Sequence, residues 1–180
     1  MFQTIYSRMF VLAGAAIVLV PSGLAQPIQP PSRALVTFSD GAACAGSPAG
    51  PPSFVALSAT INATQSVSTF GSGGGASGRL KFDDVAITRN VDDCTVSLYG
   101  LFLPGRRINS VVVSYQTLVG TLYKETLRMT LTDVFITSIG DTEIGSAAPV
   151  EKVTLNFGRI TIFDPVTNKS TSWDLAANRP

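Results

Sequence analysis

The stretch Leu131-Thr132-Asp133-Val134-Phe135-Ile136-Thr137-Ser138, followed after a Pro149-containing connection by Val150-Glu151-Lys152-Val153-Thr154-Leu155-Asn156-Phe157, decides the fold class. Apolar and polar residues alternate along both segments. That period of two belongs to strands with one buried face. The alternation also slips. Tyr123, Leu127, Met129 and Leu131 hold odd positions, then Val134 and Ile136 hold even ones. The same change of parity occurs at Asp83-Asp84, between Leu80/Phe82 and Val85/Ile87, and at Gly158, between Val153/Leu155/Phe157 and Ile160/Ile162. One extra residue at each slip bends the strand, as bulges do where sheets curve or close. Three slips favour a small antiparallel β-barrel over a flat sheet. Strands buried on both faces, one against a second subunit, account for the same pattern.

Working outward, Arg33 to Ser39 reads as a first strand with Ala34, Val36 and Phe38 inward. Residues 40–53 carry three glycines and three prolines and read as a long loop. Phe54 to Gln65 resumes strand character, with Val55, Leu57, Ala59 and Ile61 expected on one face. The glycines between Phe70 and Gly78 are not a phosphate loop, because Arg79-Leu80-Lys81-Phe82 opens a strand rather than a Gly-Lys-Ser/Thr helix start. They read as a connection between antiparallel strands. One short α-helix is expected, capped by Asp92 or Asp93, carrying Val96, Leu98, Tyr99, Leu101, Phe102 and Leu103, mostly buried, and stopped by Pro104-Gly105. Arg106 and Arg107 then satisfy terminal carbonyls or face solvent.

The N-terminus has the pattern of an export signal. Arg8 precedes an apolar run from Met9 to Val20, and Gly23 and Ala25 are small residues placed for cleavage after Ala25. The run falls short of the about 20 residues a spanning helix needs, so no stable membrane insertion is expected after cleavage. The expected organisation is residues 1–25 as signal peptide, 26–32 as a Pro-rich linker, and 33–180 as one domain, with a secreted or periplasmic location. The chain has 13 Lys plus Arg against 12 Asp plus Glu, and without Arg8 the balance is 12 against 12. A neutral chain gives no electrostatic reason to expect nucleic acid.

With no histidine, Ser-His-Asp triads and His-ligated zinc sites are excluded. The adjacent acids Asp83-Asp84 and Asp92-Asp93, and Asp133, read as turn and capping residues rather than a glycosidase pair. No enzyme activity, cofactor or metal is expected. Under export, Cys44 and Cys94 meet an oxidising compartment and permit one pairing, worth about 4 kcal/mol in the chain-entropy model. Two separate buried thiols are the alternative. Asn62-Ala63-Thr64 and Asn168-Lys169-Ser170 match a glycosylation pattern that arises often by chance. Trp173 reads as a packing residue or interface anchor.

Gly78 through Asp92, Tyr123-Lys124-Glu125 with Leu131 to Val134, Pro149 through Phe157, and Ser172-Trp173-Asp174 together resemble the haemolysin-coregulated protein (Hcp) family, whose members build the inner tube of type VI secretion systems. Pro149, Glu151, Val153, Leu155, Asn156 and Phe157 match its Pro-x-Glu-x-Val-x-Leu-Asn-Phe pattern. The resemblance implies a β-barrel with one helix, structural roles for Asp133, Glu151, Asn156 and Phe157, and a homohexameric ring that stacks, with secreted effectors and spike or sheath proteins as partners. The export signal, the composition of residues 40–53 and the missing histidine after the helix depart from the family. An exported stand-alone barrel, acting as an envelope or extracellular structural or binding module, is the alternative reading.

Overall fold

The computed structural model describes residues 31–41, 52–68, 76–142 and 148–179. The expected signal peptide and nearly all of the linker lie outside them. So does Cys44. The described chain is mainly β with a single helix, as the alternation predicts.

Six strands make the first sheet: β1 (Ser32–Phe38), β2 (Ser53–Ala56), β7 (Ile108–Val119), the first part of β8 (Leu122–Thr142), β10 (Arg159–Asp164) and β11 (Lys169–Asp174). The second sheet takes the remainder of β8 with β9 (Val150–Asn156), β6 (Val85–Asn90) and β3 (Ser58–Thr60). All pairings are antiparallel. The two sheets are joined at two corners. One is within β8, which pairs β10 up to Thr132, β7 up to Val134 and β9 from Phe135 onward. The other is Leu57, between β2 and β3, whose N–H donates to Thr88 O at 2.8 Å. Chain continuity through Leu57 links the two ends of the strand path, but β2 and β3 do not pair, so the expected barrel is not closed and the body is a two-sheet sandwich. β4 (Ala63–Ser68) and β5 (Ala76–Phe82) form a separate two-stranded hairpin.

Two of the three parity slips fall at the β8 corner. Asp133 has φ 57°, so one residue is spent in the left-handed region and both Leu131 and Val134 point into the core, fully buried. The adjacent chain bends in step: Gly158 donates its N–H to Thr132 O at 3.0 Å, and a Cβ there would lie 3.1 Å from the Asp133 Cβ. Gly158 is therefore a close-approach glycine. The slip at Asp83-Asp84 is the boundary between β5 and β6.

Ala34, Val36 and Phe38 are buried as expected. Farther on, Ala59 and Ile61 pack against the core as expected, but Val55 and Leu57 of the same expected face are turned outward. Phe54 and Ala56 are buried, whereas Val55 and Leu57 are 48 % and 59 % exposed. Register explains it: Ala56 opposes Ala34 and Phe54 opposes Val36, and the Phe54 ring centroid lies 6.1 Å from that of Phe38. Tyr123 is likewise on the outer face, because a register shift between Tyr115 and Gln116 turns that end of β8 over.

The helix α1 spans Cys94–Phe102. Asp92 supplies the side-chain acceptor, taking the Cys94 N–H at 2.7 Å. At the other end, Gly105 at φ 64° donates to Phe102 O and Arg106 donates its backbone N–H to Leu101 O, which stops the helix in a Schellman turn. Cys94, Leu98 and Leu101 are buried, but Val96 and Leu103 are 77 % and 76 % exposed, so the helix is less covered than its composition predicts.

Candidate functional site

The chemistry-bearing residues divide into a buried node and an exposed hairpin. Arg89 on β6 and Glu151 on β9 face each other across paired strands, and both are buried. Arg89 Nη1 donates to Glu151 Oε1 at 2.9 Å, and Nη2 donates to Asp92 Oδ1. The guanidinium carbon stands 4.3 Å from the centre of the Phe54 ring, a cation–π contact shielded from water. One arginine thus ties β6, β9, β2 and the start of α1 together. Desolvation raises the Glu151 pKa above the usual carboxylate value, and Arg89 only partly offsets it. Burial also pushes Asp92 upward, but its hydrogen bonds from Arg89 and the Cys94 N–H prevail and hold it low. Arg89 Nε and Glu151 Oε2 make no hydrogen bond among the described residues. A buried pair that is incompletely satisfied fixes position more than it adds stability.

The other motif residues are also structural. Asp133 takes a hydrogen bond from Arg107 Nη2 at the β8 corner. Asn156 donates to Asp84 Oδ1 at 2.8 Å, and Thr137 donates to Asp84 Oδ2 at 2.9 Å, so Asp84 ties β8 and β9 to the turn before β6. Phe157 is 3 % exposed and meets the Phe82 ring edge-on at 5.9 Å. This last contact seats the base of the β4–β5 hairpin on the body. Asp83 approaches Lys81 at 3.9 Å on the surface. Asp83, Asp84, Asp92 and Asp133 therefore sit in turns, a corner and a cap, each with a local partner, and Asp93 is exposed at the N-cap position without a side-chain capping bond. Trp173 is half-buried, opposite Ile160 and packed on the core. Cys94 is 2 % exposed at the start of α1, its Sγ 3.9 Å from Ser53 O. Sequence reasoning missed Arg89. A basic residue at an inward position of an alternating strand, between Ile87 and Val91, was the available signal.

The hairpin differs in kind. β4 pairs only with β5 among the described strands, so both outer edges carry unpaired backbone groups. Ala63, Thr64 and Gln65 are exposed, and β4 contains neither charge nor proline. An isolated two-stranded hairpin is marginally stable in water, and an uncharged edge is a template for another chain. A second open edge lies at β11, which among the described strands pairs only with β10. Among the described residues no helix is long and apolar enough to cross a membrane.

Comparison with known proteins agrees with this architecture. No curated protein matches the chain by sequence. Its fold is similar to that of Hcp1 from Salmonella typhimurium, with TM-score 0.62, 18% identity, and 83% of this chain and 99% of that one covered. It is similar to the secreted protein Hcp3 from Pseudomonas aeruginosa, with TM-score 0.55, 14% identity, and coverage of 79% and 97%. It also resembles the tube terminating cap of the anti-feeding prophage, with TM-score 0.51, 18% identity, and coverage of 83% and 99%. At these identities the likeness speaks for the fold. The family model described as "Type VI secretion system effector, Hcp" matches residues 53–163, which span both corners of the body, the helix, the hairpin and the Arg89–Glu151 pair. The chain belongs to the Hcp family of type VI secretion proteins.

Proposed function

We propose that this chain is a structural subunit of a type VI secretion tube, closing into a six-membered ring that stacks and carries effectors. The observation that supports it best is the β4–β5 hairpin, whose two free edges need a third strand, on a body that already satisfies its own core. A second copy meets that need through a heterologous contact, and such contacts close into rings when the rotation allows. The role is structural rather than catalytic, and spike or sheath proteins are the expected further partners. Absolute mass by light scattering, with negative-stain images of the main peak, tests the reading. Six subunits in a ring support it; a monomer at every concentration overturns it.

The segment Arg8 to Ala25 favours a second reading, an exported stand-alone sandwich working as an envelope or extracellular module. Sheath, spike and baseplate genes beside this one favour the tube, and their absence favours the module. Both readings place the mature chain in the periplasm or outside the cell, with a Cys44–Cys94 disulfide. The flanks of Cys44 support that bridge: a Cβ on Gly41 would lie 3.2 Å from Leu101 Cδ1 of α1, and the chain returns at Ser53, beside Cys94 Sγ. Thiol labelling of the unfolded, unreduced protein is expected to modify neither cysteine. Labelling of both removes the bridge.

A further inference from the structure

The hairpin's free edge can be traced residue by residue. In an antiparallel pair, alternate residues of a strand bond to one neighbour and the residues between them turn to the other side. Asp83 donates its N–H to Asn62 O at 3.0 Å, which sets the parity at the base of the hairpin. Asn62 and Thr64 therefore bond toward β5, and the backbone groups of Ala63 and Gln65 turn away from it. The same edge begins on β3, where Ala59 O takes the Tyr115 hydroxyl at 3.2 Å. On the outer edge of the first sheet, β11 presents matching groups. Leu175 donates its N–H to Gly158 O at 2.9 Å, so Trp173, Thr171 and Lys169 bond toward β10, and Asp174, Ser172 and Ser170 turn outward. Asp174 is answered, because its N–H donates to Arg179 O at 2.8 Å and its carbonyl accepts the Arg179 N–H at 3.3 Å. Ser170 and Ser172 keep outward backbone groups with no strand opposite them among the described residues.

These two edges suit each other better than either suits another open edge of the chain. β4 and β11 are each six residues long, and neither Ala63–Ser68 nor Ser170-Thr171-Ser172 carries a charge. β5 carries Arg79 and Lys81, charges of the kind that keep strand edges apart. β2 meets the start of α1 instead, with Ser53 O 3.9 Å from Cys94 Sγ. A β4-to-β4 contact is isologous and closes as a pair. A β4-to-β11 contact is heterologous and uses each copy once on either side, which is what a ring requires.

We propose that β11 of one copy is the third strand of the next copy's hairpin, antiparallel to β4, with Ser172 opposite Ala63, Thr171 opposite Thr64 and Ser170 opposite Gln65. The proposal rests on the ring reading and names the contact that builds it. This register makes Thr64 and Thr171 a non-hydrogen-bonded pair, the closest approach of side chains across antiparallel strands. The test is the double variant Thr64→Cys with Thr171→Cys in the full chain, purified unreduced, weighed by light scattering, then treated with a short bismaleimide and run on a denaturing gel. A six-subunit mass and a covalent ladder from dimer to hexamer are expected, with no ladder from either single variant or from the unsubstituted chain. A six-subunit mass without the ladder overturns the β4–β11 pairing and leaves the ring standing. Cross-linked pairs from Thr64→Cys alone assign β4 to itself and also overturn the pairing. A monomeric mass for the unsubstituted chain overturns the ring and the pairing together. If the double variant fails to fold or to assemble, Ser172→Pro decides. It removes an outward donor from β11 and is expected to abolish assembly while the body still unfolds cooperatively; a six-subunit mass in that variant overturns the proposal.

Discussion

The two-sheet body and the β4–β5 hairpin are made by one chain under opposite rules. In the body, strands run through two corners, every inward position is apolar or ion-paired, and Leu131, Val134, Val153 and Leu155 are fully buried. In the hairpin, two strands pair with each other alone among the described strands, and Ala63, Thr64 and Gln65 face outward. The body is complete as a monomer and the hairpin is not. What the difference teaches is where to look for function: the residues that would be chemistry in an enzyme are spent here on holding the body together, and the unfinished element is a backbone edge.

The largest effect should come from breaking the body at its node. Glu151→Ala is expected to cost about 3–5 kcal/mol in urea unfolding, because it removes the buried acceptor of Arg89 Nη1 and leaves Asp92 as the carboxylate partner of the guanidinium. The double change Arg89→Met with Glu151→Leu should cost less than either single change. A double loss equal to the sum would mean that the two residues act independently. Next in size is the corner. Gly158→Ala drives a methyl against Asp133 and is expected to cost about 1–3 kcal/mol, read as a lower urea midpoint.

A smaller effect separates the acids by pH. The folded-state pKa of Asp92 is depressed, so its contribution is present above the ordinary carboxylate range and is lost as pH falls through the folded value. The folded-state pKa of Glu151 is raised, so its contribution is present below its unfolded value and is lost as pH rises through the folded one. Asp92→Asn should therefore flatten the acid side of the stability profile, and Glu151→Gln should flatten the slope just above the carboxylate range. Urea midpoints measured at a series of pH values distinguish them.

The smallest effect on stability is expected at the hairpin, where Gln65→Pro should change the unfolding of the body by less than about 0.5 kcal/mol. Its effect on assembly should be complete, since proline removes a backbone donor from the edge. An unchanged mass in light scattering would remove the hairpin from the interface.

Much of the body was legible in the sequence. The parity changes at Leu131/Val134 and Phe157/Ile160 located both chains of one corner, since a side chain that must stay inward leaves no alternative to a bulge. Pro104-Gly105 located the helix stop. The face of Phe54 to Leu57 was not legible, because Phe54, Val55, Ala56 and Leu57 are all apolar and only pairing with β1 chooses between them. The reversal at Tyr123 depends on a register shift in the partner strand, which local alternation does not carry. Of the site, Glu151 and Asn156 were found through the family pattern, whereas Asp84 as the partner of Asn156 needed a contact between residues 72 positions apart.

Amide hydrogen exchange across residues 63–82, in the purified assembly and in the Gln65→Pro protein, tests the unfinished edge most directly. The account predicts hairpin amides as slow as those of β7 and β9 in the assembly and fast in the variant, with the body slow in both. Hairpin amides that exchange rapidly in the assembled species while the body stays protected would show that no neighbouring strand covers them, and would contradict it.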